Sequence, residues 1–300
     1  MSLKDQMLGL LCILLWCVNF PALSLISDQL SPVQITGLRL GLPATAAILL
    51  FRFPRRHFRR IFFLGLGYFS VPLVLTTYAL KDIHPTIVAI ITNFEIIFVL
   101  LAERFIFATK IKPSEIFGIA LSFLGANLIL FSPEINITNI SGALLALAAA
   151  VAYAVTAFQI KKIPVSAIEM TLWSACMGSI QCLVYSLIVE SPSVGNLAKL
   201  SPDFWLVIAF SSVSSILAFW IWNDLLIRNP VYQVSSFVLL IPLMTFIVSA
   251  IMIQKPLETK AIIGGLLCLI GTALPYVIRK FKTTSTGKTQ HLGREKQNSG

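Results

Sequence analysis

Long apolar runs, separated by short polar breaks, occupy almost the whole chain. Ten such runs fall at about 7 to 26, 33 to 52, 60 to 80, 84 to 103, 114 to 131, 141 to 160, 167 to 189, 204 to 224, 230 to 252 and 259 to 278. A helix needs roughly 20 mostly apolar residues to cross a ~30 Å hydrocarbon core. No stretch shows the two-residue alternation of a membrane β-barrel, so each segment must satisfy its own backbone hydrogen bonds as a helix. The pattern predicts an all-α integral membrane protein with ten transmembrane helices and no soluble domain. Composition agrees: 57% of residues are hydrophobic, 12% are charged, and the mean hydropathy is +0.86, far from the usage of soluble domains.

The net charge of +10 first suggests an acidic partner, but its distribution argues otherwise. With the N-terminus inside, eighteen Lys and Arg residues fall on cytoplasmic segments. They include Arg52, Arg55, Arg56, Arg59 and Arg60 in one loop and Arg279 to Lys296 in the tail. Only Lys81, Lys199, Lys255 and Lys260 fall outside, and Arg39 lies within a span. Such a bias is a topology signal. It predicts two cytoplasmic termini and excludes nucleic acid as the partner. The apolar first run is longer than a signal-peptide core and Asp5 blunts its basic flank, so it is expected to remain as a span. Cys12, Cys17, Cys176, Cys182 and Cys268 all lie within spans without a CxxC pair and read as packing residues. Asn136 and Asn139 head two glycosylation-like triplets on a predicted external loop, too close to the membrane to be used. No metal site or cofactor motif is present, and the sequence fits a monomer or a homodimer alike.

An internal repeat follows the same pattern. The segment from Tyr78, YALKDIHPTIVAIITNFEIIF, parallels the segment from Asn223, NDLLIRNPVYQVSSFVLLIPL. In both, a span ends, a turn with proline follows (Pro85, Pro230), and a long span begins. A second proline turn (Pro113, Pro256) then leads to a glycine-bearing span. Gly118 with Gly125, and Gly264 with Gly271, are seven apart and share a helix face that permits close approach. Five helices per half is an odd number, so the second half enters the membrane in the opposite sense. This predicts an inverted-topology repeat of residues 1–132 and 133–280, with a basic, disordered cytoplasmic tail over 281–300. Such repeats imply alternating access around a midplane site.

The segments TYALKDIHPTIVAIITN and FWIWNDLLIRNPVYQVSSFVLLIPLMTF resemble the third-to-fourth and eighth-to-ninth helix regions of EamA-type transporters of the drug/metabolite transporter superfamily. The opening MSLKDQMLGLLCILLWCVNFPALSL, the LRL around Arg39 and MTLWSA at 170 to 175 resemble the O-acetylserine/cysteine exporter branch. The resemblance covers roughly residues 1 to 280 and implies a ten-helix exporter of amino acids or related metabolites in the inner membrane. The chain departs from the family pattern at Thr109 and Lys110, and at Gln254 and Lys255, where an acidic residue is usual. At Glu95 the branch resembled carries glutamine, so its substrate does not transfer.

Glu95 lies 11 residues from His84, about 16 Å along a helix and close to the midplane. A charge there costs at least ~2.5 kcal/mol, so the residue faces a wet cavity, meets a partner or is protonated. Two readings stand: a neutral Glu bonded to a neighbouring helix, or a substrate or proton site. Helical spacing sets Thr92, Phe98 and Val99 on its face and turns Asn93 away. Arg39, about 9 Å inside the external end, either receives a substrate carboxylate or clamps helix carbonyls. Asp224 and Arg228, four apart, are expected to pair. Trp16, Asn19, Tyr78, Trp173, Trp222 and Asn223 are candidate lining residues for a small zwitterion or cation. Transport is the leading function. A membrane-embedded enzyme using Glu95 and an exporter of cationic drug-like compounds are the alternatives. No HExxH or GxSxG motif is present, and Glu95 has no second carboxylate at its depth, so general acid–base chemistry lacks a partner.

Overall fold

The structure, a computed structural model, describes residues 1–105, 113–130, 140–160, 164–190 and 200–253, together with Ile263, Gly264, Leu266, Leu267, Ile270, Gly271 and Leu274. The glycosylation-like triplets, Thr109, Lys110, Gln254, Lys255, Cys268 and the basic tail lie outside the described residues. All regular structure among the described residues is helical. The elements are α1 (Leu3–Ser24), α2 (Pro32–Leu50), α3 (Phe58–Leu64), α4 (Val71–Asp82), α5 (Pro85–Thr92), α6 (Glu95–Phe105), α7 (Pro113–Leu130), α8 (Ile140–Ile160), α9 (Ala167–Tyr185), α10 (Pro202–Arg228), α11 (Val231–Ser235) and α12 (Ile241–Ile253). A π-helical stretch, Gly65–Ser70, joins α3 to α4, and a 3₁₀ stretch, Ser236–Leu240, joins α11 to α12.

Serine N-caps start four of the long helices. Ser2, Ser31, Ser166 and Ser201 each accept the backbone N–H three residues on, and Asp5 and Gln34 reach back to complete two capping boxes. Among the described residues, six helices are long and apolar enough to cross a membrane: Leu3–Ser24, Pro32–Leu50, Arg55–Asp82, Ile140–Ile160, Ala167–Glu190 and Pro202–Arg228. The chain is a multi-pass membrane protein. Leu14, Ile48, Leu49, Leu144, Val155, Leu206 and Ile251 expose their side chains, an arrangement suited to lipid rather than water.

Two expected spans are interrupted. The 84–103 run breaks at Asn93 and Phe94, where amides bond three residues back: Asn93 N–H to Ile90 O at 3.2 Å and Phe94 N–H to Ile91 O at 3.1 Å. The 230–252 run changes to 3₁₀ geometry over Ser236–Leu240. The first break carries no Gly or Pro, so hydrophobic periodicity gave no sign of it; the second lies one turn before Pro242, which has no N–H to donate to Val238 O. Helix 113–130 matches its expected span, and the 259–278 run is described only in part.

Small residues set the packing. Helix α8 buries Gly142, Ala146, Ala149, Ala150, Ala154 and Ala157 and packs closely on α4; α1 packs on α10 and α2 on α9. An added Cβ at Gly65 would lie 2.7 Å from Met177 Cβ and 2.9 Å from Ser174 O, so α9 and the π-helical stretch meet almost backbone to backbone. Gly271 lies against Gly118 and Ser122 in the same way.

Candidate functional site

The helices leave a cavity at their centre, and α1, α2, α4, α5, α6, α8, α10, α12 and the two irregular stretches all contribute to its lining. Two charged side chains reach it, Arg39 from α2 and Glu95 from the first turn of α6, and each is less than one-tenth exposed.

The Arg39 guanidinium is held by neighbouring helices. Nε donates to Ser215 Oγ at 3.1 Å, and Nη2 donates to the same oxygen and to Asn19 Oδ1 at 3.5 Å. Asn19 is itself fixed. Its Oδ1 accepts from Ser211 Oγ at 2.6 Å, and its Nδ2 donates to Ser214 Oγ at 3.0 Å and Leu15 O at 2.7 Å. Ser212 Oγ donates to the Arg39 carbonyl at 2.7 Å. The SSVSS segment of α10, residues 211–215, is thus a polar face that ties α1 and α2 together, and sequence reasoning passed over it.

Glu95 differs. Its carboxylate makes no hydrogen bond or ion pair among the described residues, although it lies within electrostatic reach of Tyr68 and Tyr153. Thr92 shares the cavity with it, and its hydroxyl is turned back onto Val88 O at 2.9 Å and Ala89 O at 3.1 Å. Asn93 is buried away from the cavity, with both amide atoms unpartnered among the described residues.

Of the other candidates, Trp16, Asn19 and Trp222 line the cavity. Tyr78 stands 37% exposed on α4 and Trp173 stacks edge-on against Phe53 with ring centroids 4.8 Å apart; neither lines the cavity. Asn223 donates to Thr171 Oγ1 at 2.7 Å. Arg228 pairs with Asp224 as expected and also with Asp5, at 2.7 Å. The lining adds Tyr68, Thr76, Tyr153 and Phe219, which sequence reasoning missed. Two signals were available: Tyr153 is a lone phenol in an alanine-rich run, and Tyr68 directly follows two close glycines, Gly65 and Gly67, where the π-helical stretch turns it inward.

The rings form one connected wall. Trp16 meets Phe219 and Trp222 at centroid distances of 5.2 and 4.9 Å, and Tyr68 meets Phe219 and Tyr153 at 5.3 and 5.8 Å. Edge-on contacts predominate, the favoured arrangement for aromatic pairs.

A multi-pass helical bundle around a buried, sparsely polar cavity is the architecture of a membrane transporter. The chain belongs to the EamA-like transporter family, whose pattern matches residues 4–131 and 140–277, and it is a transporter rather than an enzyme. Similar proteins include a "Probable amino-acid metabolite efflux pump" of Salmonella typhimurium, 26% identical over 90% of this chain and 94% of that protein. Another of the same description, from Escherichia coli, is 24% identical over the same shares. An "Uncharacterized transporter" of Archaeoglobus fulgidus is 26% identical over 93% of this chain and all of that one. A solved crystal structure superposes with a TM-score of 0.74 at 17% identity, covering 94% of this chain and 99% of that chain; it shares the fold. A small-molecule substrate and the lipid bilayer are the partners this class implies.

Proposed function

We propose that this transporter exports amino acids or related small metabolites across the inner membrane by alternating access, with both termini cytoplasmic and Glu95 in the substrate or proton pathway. The observation that carries the reading is a central cavity to which both family-matched parts of the chain contribute, with Arg39 and Glu95 in its wall. The names of the bacterial relatives support the substrate class.

The packing supports two five-helix halves of opposite sense. In such a pair, helix one on eight and helix six on three are equivalent contacts, and α1 on α10 and α8 on α4 are both among the most extensive. The Asn19 side chain binds Ser211 and Ser214, while Thr156 Oγ1 on α8 donates to Gly67 O at 3.1 Å. With Tyr78 aligned on Asn223, the break at Asn93 and Phe94 falls on Val238 and Leu239, inside the 3₁₀ stretch. Interrupted helices beside a midplane site are a feature of inverted-repeat transporters.

Counterflow in proteoliposomes tests the reading. Vesicles preloaded with unlabelled amino acid should accumulate the labelled compound transiently, without chemical change to it. Failure of every amino acid and related metabolite to exchange, by protein that remains monodisperse, would overturn it.

A further inference from the structure

We propose that the cavity recognises the charged nitrogen of its substrate and dispenses with the carboxylate, holding an ammonium group on Glu95 beside the rings of Tyr68, Tyr153 and Trp16. The inference rests on the reading of this cavity as the transport site and names the part of the substrate it binds.

Three observations carry it. The Glu95 carboxylate is buried in the cavity wall with no hydrogen bond or ion pair among the described residues, and a buried carboxylate gains most from a cationic partner that also donates hydrogen bonds. Its neighbours are aromatic. Tyr68 and Tyr153 lie within its electrostatic reach, their ring centroids 5.8 Å apart and nearly perpendicular. Trp16 continues the same wall, with its buried Nε1 unpartnered among the described residues. Ring faces attract ammonium groups, most strongly where water is excluded.

The third observation concerns Arg39, the only other charged group in the wall among the described residues. Bidentate capture of a carboxylate needs two adjacent N–H donors on one edge of the guanidinium. Here Nε and Nη2 are both directed at Ser215, and Nη2 also reaches Asn19. A carboxylate on the Nε/Nη2 edge would have to displace the bonds to Ser215 that join α2 to α10, and on the Nη1/Nη2 edge it would compete with Asn19 for Nη2. Arg39 is a positioning residue, and the substrate-facing charge is Glu95.

Three forms of one amino acid test this on the purified wild-type protein: phenylalanine, its amide and its N-acetyl derivative. The amide keeps the ammonium and neutralises the carboxylate; the N-acetyl compound does the reverse. Binding is read by tryptophan fluorescence and thermal stabilisation, and transport by counterflow. The amide should bind within about threefold of the parent, and the N-acetyl compound at least about tenfold more weakly, a difference of one decade in Kd. Glu95→Gln should abolish binding of the amide and Glu95→Asp should restore part of it, both in monodisperse protein. A preference for the N-acetyl compound, or equal binding of all three, overturns the inference while leaving transport standing. Absence of binding by the parent and the amide also overturns it. Loss of counterflow for all amino acids and metabolites instead overturns the transport reading on which it rests.

Discussion

Arg39 of α2 bonds through Nε, at 3.1 Å, and through Nη2 to one oxygen, Ser215 Oγ of α10. The contact is two-pronged, and a lysine ammonium on its flexible stem does not reproduce that fork. Arg39→Lys should therefore impair the protein about as severely as Arg39→Ala, with transport falling by at least about tenfold and stability by roughly 1–3 kcal/mol. Membrane yield, melting temperature and counterflow are measured together. Retention of most activity by Arg39→Lys would mean that charge alone matters.

Glu95→Gln should insert and fold normally, because it removes a buried charge that costs at least ~2.5 kcal/mol at the midplane and breaks no hydrogen bond. Its transport should lose pH dependence and its preference for amine-bearing substrates. Arg39, Tyr68 and Tyr153 remain as the other ionisable groups at the cavity. A pH profile and substrate preference identical to wild type would leave Glu95 as a neutral structural residue.

Gly65 and Gly41 make a matched pair. A Cβ at Gly65 meets Met177 and Ser174 below 3 Å, whereas one at Gly41 meets nothing within 4 Å. Gly65→Ala should cost about 1–3 kcal/mol by forcing the π-helical stretch off α9, and Tyr68 would move with it. Gly41→Ala should be neutral, or stabilising by up to about 1 kcal/mol through helix propensity. Equal melting temperatures for the two variants would contradict the close approach.

Asp5 and Asp224 share Arg228, but not equally. The Asp5 side chain is 9% exposed and that of Asp224 is 43% exposed. Asp5→Ala should cost about 1–2 kcal/mol and also remove the 3.5 Å bond from Asn229 Nδ2, which keeps its bond to Leu225 O. Asp224→Ala, an exposed pair one helical turn apart, should cost less than about 0.5 kcal/mol. Thermal unfolding of the two variants compares them directly.

Reporters fused within 53–59 and after Lys282 should both read cytoplasmic, and one within 191–200 should read external, as the distribution of basic residues requires. Opposite sides for the first two would end both the even span count and the inverted repeat.

Apolar run length and the placement of arginines and lysines were enough to establish a multi-pass helical protein, because the bilayer demands long apolar helices whatever their neighbours. A lone carboxylate in an apolar run marked Glu95 for the same reason: lipid makes an unmatched charge conspicuous in one dimension. Arg39, Trp16, Asn19, Thr92 and Trp222 were likewise visible as polar or amphipathic residues within spans. Which of them converge was decided by helix packing. Tyr78 and Trp173 looked equivalent to Trp222 along the chain, yet rotation and local contacts send them elsewhere. Tyr68 reaches the cavity through a π-helical stretch supported by a neighbouring glycine contact across helices, and the partners of Arg39 lie 176 residues away on α10. Hydrophobic periodicity reports which residues avoid water; it carries no record of helix breaks without Gly or Pro, or of which polar faces meet. Those depend on side-chain packing between segments far apart in the chain, and only the tertiary structure decides them.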